Sequence, residues 1–455
     1  MPFALRPTDS RADSPTDSTA DSTTDSPAES AVYTGAEKSR ARKAAIGSFV
    51  GAVVDWYDFL LYGIVAALIF NTEFFPKVSP AMGTLAAFAT FGVGFLFRPL
   101  GGFIFGHYGD RLGRKRMLVL TVMMMGLSTA LIGLLPTFAV IGWWAPVLLV
   151  LLRAIQGFAV GGEWGGAALM AVESAPEKKK AFYSSGVQVG YGVGLILATG
   201  LVSILTSTLD NAAFRAWGWR VPFVFSVVLV GIGLWVRSSM GESQEFVEKV
   251  EKSKHKVRLP IFEALRQNPK AFLLIIALRL AELFTMYIVT AFALSYSTTN
   301  LGMSSRFFLS VGLLVGAVSI VTIPLFALAA DRFGRRRVYM TGAIIGMLSA
   351  VPFFLALDAR STVWIVIFAV MLANVAHDMC VSVQQPMFTQ LFGTEYRYSG
   401  AGVGYQIASV VGGGFTPFIA VGLVNLAGGS WYPVAGYLAI GCLISVLVAW
   451  KMKTR

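Results

Sequence analysis

The chain has 455 residues, of which 55% are hydrophobic and only 14% charged, and it carries a net charge of +12. Its mean hydropathy is +0.67, and soluble domains carry about 25% charged residues, so the composition excludes an ordinary soluble protein and predicts an all-α polytopic membrane protein. The positive charge then reports membrane sidedness rather than nucleic acid, and Cys380 and Cys442, both inside apolar segments, predict neither a disulfide nor a metal site.

Residues 1–43 form a polar head whose run of Ser, Thr, Asp and Pro has no apolar core. The head therefore reads as a disordered cytosolic tail and not as a secretory signal. Twelve apolar spans of about 20 residues follow, the length that crosses ~30 Å of hydrocarbon. They are expected near 46–70, 84–105, 117–136, 146–171, 181–206, 219–238, 271–297, 307–329, 338–357, 361–387, 398–424 and 431–450. Residues 44–238 and 271–455 make two six-helix halves, joined by a charged cytosolic loop at 239–270. With both termini inside, 29 of the 37 Lys and Arg fall on the cytosolic side, five on the external side and three, Arg98, Arg153 and Arg279, within spans. That bias sets the orientation.

The fourth span holds the least expected combination. It is Gly-rich and apolar, with glycines at 157, 161, 162, 165 and 166, yet it carries Arg153, Gln156 and Glu163. A charge at the bilayer centre costs about 2.5–3.5 kcal/mol on insertion scales, so it marks a substrate or ion pathway. The glycines permit close approach of a neighbouring helix. Across all spans there are five acids, Asp55, Asp58, Glu163, Glu282 and Asp378, against three arginines. Two acids thus lack a guanidinium, and such groups tend to take up protons. His377, next to Asp378, is an alternative neutraliser or a packing histidine.

Two loops repeat. GHYGDRLGRKRM follows span 2 and ALAADRFGRRRV follows span 8, which points to duplicated halves. This pair resembles the loop signature of the major facilitator superfamily. VVDWYDFLLYG at 53–63, FRPLGG at 97–102 and RAIQGFAVGGEWGGA at 153–167 are similar to its metabolite/proton symporter branch. Three further stretches, at 277–298, 371–390 and 396–418, resemble the members of that branch that carry hydroxylated organic acids.

The resemblance implies a twelve-helix fold in a bacterial inner membrane, working by alternating access as a monomer. Its expected partners are a small organic anion, protons and the lipid bilayer, with no nucleic acid, metal or cofactor. In the related sugar/proton symporters a span 1 acid pairs with the span 4 arginine, a pattern that falls here on Asp58 and Arg153. Asp58 is the expected proton carrier, with Asp55 three residues away as second choice, and Glu163 completes the proton-coupling set. A permanent ion pair between spans 1 and 4 is the alternative. Arg98 and Glu163 form a second candidate pair, with a gating role favoured for Arg98. For the substrate, arginine offers a planar fork to a carboxylate, so Arg279, with Glu282, is the expected anchor. Gln188, Asn374, Gln385 and Gln406 supply hydroxyl partners, although amides also serve as interhelical glue. In the family the repeated loops act as a cytosolic latch, which assigns Gly106, Asp110, Arg111, Gly113 and Arg114, and in the second copy Asp331, Arg332 and Arg335, to gating.

No GxxxxGK[ST], HExxH or GxSxG pattern is present, so neither ATP-driven transport nor an embedded enzyme is expected. The rival cargoes are a ketoacid, a dicarboxylate or a compatible solute. The last is disfavoured because osmolyte carriers of this branch extend into a coiled-coil tail beyond span 12. A sensor without transport is a further alternative, for which neither tail offers a signalling module.

Overall fold

A computed structural model describes residues 35–112, 114–162, 180–238, 266, 268–392 and 397–452; residues 1–34 of the tail expected at 1–43, and most of the central loop, lie outside the described residues, while 35–43 are helical. Among the described residues there is no strand. The membrane helices are α1 (Gly47–Glu73), α2 (Pro80–Phe105), α3 (Arg116–Leu134), α4 (Trp144–Gly161), α5 (Ala181–Thr208), α6 (Arg220–Val236), α7 (Pro269–Thr299), α8 (Ser305–Phe333), α9 (Arg335–Asp358), α10 (Thr362–Thr389), α11 (Gly400–Leu426) and α12 (Tyr432–Lys451). Eleven are single apolar helices, while α6 completes its crossing with the short helix Asn211–Gly218, set at 44° to it. The order matches the sequence expectation. At its start, however, the first helix runs back to Gly35, because GAEKSRARKAA contains no breaker after the glycine.

Local chemistry explains the ends. Ser79 caps α2 by accepting from the Met82 amide at 3.3 Å, with Pro80 as the first helical residue. Between α8 and α9 the chain reverses at Gly334, whose φ of +100° suits glycine alone; this is the glycine of the second DRxGR loop.

Burial separates inner from outer helices. Every residue from His377 to Thr389 of α10 is buried, so that part of the helix is surrounded on all sides. By contrast α3, α6, α9 and α12 expose Leu127, Val227, Leu348 and Leu447, side chains that suit lipid contact. α1, α7, α10 and α11 each contain a π-helical turn, at Ala66–Phe70, Ile288–Phe292, Met371–Ala376 and Val410–Gly414. Such turns recur at functional sites, and nothing in the apolar pattern announced them. Those in α1 and α7 occupy equivalent places in the two halves.

Glycines set the closest approaches. A Cβ on Gly157 of α4 would sit 1.6 Å from the Gly94 carbonyl oxygen of α2, so the two backbones touch. The halves meet along α5 against α8 and α2 against α11. There Gly192 and Gly316 face one another, each Cβ position 2.7 to 2.8 Å from the other's carbonyl oxygen. Both ends of this seam are bridged. At the face carrying the chain's ends, Asp331 of α8 accepts from the amides of Ala181 and Phe182 at the start of α5, at 3.2 and 3.0 Å. At the opposite face Arg306 of α8 donates to the Thr206 carbonyl of α5 at 3.2 and 2.9 Å.

Gly157→Val should therefore abolish monodisperse protein in detergent size-exclusion chromatography, whereas Gly186→Ala, with nothing within 4 Å of its Cβ position, should elute unchanged.

Candidate functional site

In the first half, Asp58 of α1 is 2% exposed and Arg153 of α4 fully buried. They approach to 3.7 Å between Arg153 Nη1 and Asp58 Oδ2, a long ion pair. The shorter path runs through Gln156, one turn from Arg153 and therefore on the same face. Arg153 Nη1 donates to Gln156 Oε1 at 2.9 Å, and Gln156 Nε2 donates to Asp58 Oδ1 and Oδ2 at 2.9 and 3.1 Å. Thr129 of α3 donates to Asp58 Oδ1 at 2.5 Å. The Arg153 guanidinium also lies 3.9 Å from the Tyr62 ring centre, and the Tyr62 hydroxyl shares a 2.5 Å hydrogen bond with Thr90. A carboxylate, a guanidinium and two neutral relays thus link three helices in a site without water access. Asp55, three residues earlier, is also buried; Glu163 lies outside the described residues.

In the second half, Arg279 and Glu282 of α7 form a two-pronged pair, Nε to Oε2 and Nη2 to Oε1, both 3.1 Å. The remaining side of the guanidinium is occupied as well. Its Nη1 donates to the Tyr405 carbonyl at 2.9 Å and to Ser409 Oγ at 2.5 Å, and the Tyr405 ring lies 3.4 Å below it. Gln384 Nε2 donates to Glu282 Oε2. Arg279 is therefore committed to protein partners, a constraint on its expected part as substrate anchor. Asp378 of α10 sits in a separate cluster. It accepts from Ser319 Oγ at 3.2 Å and from Thr322, and lies 2.7 Å from His377 Nδ1. Asn374 Nδ2 donates to Ser319 Oγ and to the Val315 carbonyl, both at 2.9 Å.

Between these clusters runs the seam, where His377 packs against Tyr191 of α5 with ring centres 4.8 Å apart. Several buried polar atoms have no hydrogen-bond partner among the described residues. From the first half these include Gln188 Nε2, the Tyr191 hydroxyl and Arg98 Nε; from the second, His377 Nε2, Gln385 Nε2 and Gln406 Oε1. Each such atom costs about 1–3 kcal/mol when unmatched. Together they are donors and acceptors without a protein partner among the described residues.

Of the expected gating residues, Asp331 joins the halves as described and Arg335 Nη2 approaches it at 3.6 Å, while Arg332 lies against Phe333. Gly106 and the backbone of Asp110 and Arg111 continue a helix from Arg98 to Leu112. The side chains of Asp110, Arg111 and Arg114, and all of Gly113, lie outside the described residues. The spacing of Gln156 from Arg153 is visible in the sequence, but the bridge that Gln156 makes to Asp58 is not. Thr129 and Tyr191 carried no signal, since a hydroxyl inside a span ordinarily bonds its own helix, as Thr129 also does to the Met125 carbonyl at 2.9 Å.

Twelve apolar helices in two halves, each with a buried ion-pair cluster, define a membrane transporter. A profile of the Major Facilitator Superfamily matches residues 45–328 and 280–455, and the chain belongs to that family. It is similar to the shikimate transporter of Escherichia coli (strain K12), with 70% identity over 91% of this chain and 95% of that one. The inner membrane metabolite transport protein YhjE of the same organism is 39% identical over 84% of this chain and 87% of its own. Among solved structures, the xylose transporter XylE from E. coli in a partially occluded inward-open conformation superposes with a TM-score of 0.69. It covers 92% of this chain and 100% of that one at 18% identity, which establishes the fold.

Removing one partner of a buried pair strands the other charge, at a cost of about 3–5 kcal/mol. Arg153→Ala should accordingly lower the thermal unfolding midpoint in detergent by more than Asp58→Asn does. The double variant should recover part of that loss, and strict additivity would mean that the two side chains do not interact.

Proposed function

We propose that the chain is a proton-coupled symporter that imports shikimate by alternating access, as a monomer in a bacterial inner membrane with both termini cytoplasmic. The observation that carries the substrate is the 70% identity, over 91% of the chain, to a shikimate transporter. The chemistry of the seam supports it. Shikimate has one carboxylate and three ring hydroxyls, and Gln188, Asn374, Gln385 and Gln406 are buried amides, three of them with an unpartnered atom named above and Asn374 with an unpartnered Oδ1. The orientation rests on the 29 of 37 basic residues on one side.

Asp58 is the proposed proton carrier, with Asp55 and Glu163 as further members of the pathway. As a carboxylate, Asp58 is held by Thr129, Gln156 and, more distantly, Arg153. Protonation removes the charge that attracts Arg153 and turns one oxygen from acceptor into donor. The Gln156 bridge between α1 and α4 must then rearrange. A bundle whose helices are held at this point by hydrogen bonds to one carboxylate has a local reason to prefer different packing when that carboxylate is neutral. The DRxGR residues Asp331, Arg332 and Arg335, with Gly106, Asp110, Arg111, Gly113 and Arg114, form the proposed cytosolic latch.

Purified protein in proteoliposomes should accumulate labelled shikimate under an inward proton gradient and lose it on addition of an uncoupler. Asp58→Asn should cut accumulation at least about tenfold, a barrier or coupling change of roughly 1.4 kcal/mol, while shikimate exchange persists. Gradient-driven accumulation by Asp58→Asn at the unmodified level would remove Asp58 from the coupling mechanism.

A further inference from the structure

Three guanidinium groups are buried in the spans, and their surroundings differ. Arg153 is tied to Asp58 through Gln156, and Arg279 is saturated by Glu282, Tyr405 and Ser409. Arg98 of α2, 7% exposed, has no carboxylate within 4 Å among the described residues. Its partners are two aromatic faces, Phe59 at 3.8 Å and Phe95 at 3.7 Å from the guanidinium carbon. The two ring centres are 5.3 Å apart, on adjacent sides of the guanidinium, and they attract the cation without supplying an oxygen acceptor to its N–H groups. Arg98 Nε accordingly has no hydrogen-bond partner.

Its position places that N–H at the junction of the halves. The Phe95 ring beneath it packs on Tyr287 of α7, with ring centres 5.9 Å apart, and lies against Gly413 and Gly414 of α11. Arg98, Gln188 and Gln406 sit at a common depth, roughly 8–11 Å from the midpoints of their helices towards the face carrying the chain's ends, at ~1.5 Å rise per residue. Gln188 Nε2 and Gln406 Oε1 are likewise unpartnered. A buried guanidinium with an unpartnered N–H and no carboxylate beside it among the described residues is available to a planar, two-oxygen acceptor. The two amides at the same level belong to opposite halves.

From the unpartnered N–H of Arg98, buried beside Phe59 and Phe95 where the halves meet, we infer that Arg98 binds the carboxylate of the transported acid, while Arg279 positions α7 against α11. This rests on the proposed transport of a shikimate-like monocarboxylate and reassigns its anchor. Binding the carboxylate at the seam gives the substrate contacts to both halves at once.

The test measures the KM for shikimate and the inhibition constant of its uncharged methyl ester in the same proteoliposomes. Arg98→Gln should raise the shikimate KM by roughly 10- to 100-fold, the range of one charged hydrogen-bonded contact. It should leave the ester's inhibition constant within about twofold, so that preference for acid over ester collapses. Arg98→Lys, which keeps the charge but not the fork, should restore part of that preference. Should Arg98→Gln fail to reconstitute, Arg98→Lys decides alone: a preference at the wild-type level sinks the inference, and a weakened preference supports it. Equal loss of acid and ester affinity would show a gating or packing role instead and overturn it. If the wild-type protein carries no shikimate, the substrate reading itself fails and the inference falls with it. Wild-type uptake with an unaltered acid preference in Arg98→Gln defeats the inference alone.

Discussion

The arrangement of this protein depends on how charge is accommodated where water is absent. A guanidinium in the interior of a bilayer protein must find a carboxylate, a carbonyl or an aromatic face. Each of the three buried arginines does so differently. Arg153 reaches Asp58 through an amide, Arg279 grips Glu282 with two prongs, and Arg98 rests against two phenylalanine rings. Because each solution draws groups from more than one helix, it fixes which helices are neighbours. Thr129 and Gln156 join α3 and α4 to α1, and Tyr405 and Ser409 join α11 to α7. Apolar side chains alone would be indifferent, since lipid tails are as apolar as leucine.

The same economy applies between the halves. Their contact is made mainly by small residues and aromatic rings, with Gly192 against Gly316 and Phe95 against Tyr287. Specific polar bridges occur near the two ends, Asp331 to the start of α5 and Arg306 to its finish. Both suit the helix they touch, because a carboxylate at a helix N-terminus and a cation at a C-terminus complement the backbone dipole. Such contacts at the water boundary are worth little individually. A seam that is smooth in the middle and lightly tied at both ends can open at either end without dismantling a core. The strong clusters stay inside each half, joining helices of the same half to one another.

Particular residues show what the sequence made legible. Length, hydropathy and the repeated DRxGR loops specified twelve helices in two halves, because a span must be apolar over a fixed length whatever it packs against. The acids and arginines within spans were legible for the same reason, as rare and costly exceptions. Asp58 and Arg153 could be matched through the resemblance to sugar symporters, and they do lie together. The glycines of span 4 announced a close neighbour, and Gly157 touches α2.

What only the tertiary structure decided is which partner each polar group meets. Gln156 as the bridge, Thr129 as the short donor and Tyr191 against His377 all depend on side chains from helices far apart in the chain. Hydropathy is blind to them, since a threonine or glutamine reads alike whether it bonds its own helix, a neighbour or a ligand. The commitment of Arg279 and the unpartnered N–H of Arg98 were equally invisible: both are arginines in apolar runs, distinguished by what three-dimensional packing brings to their nitrogen atoms. The sequence by itself determined how many helices cross the membrane and which residues are too polar to face lipid, because those follow from the cost of each residue alone. Pairing is a property of distance between residues remote in sequence, and that was settled only when the helices packed.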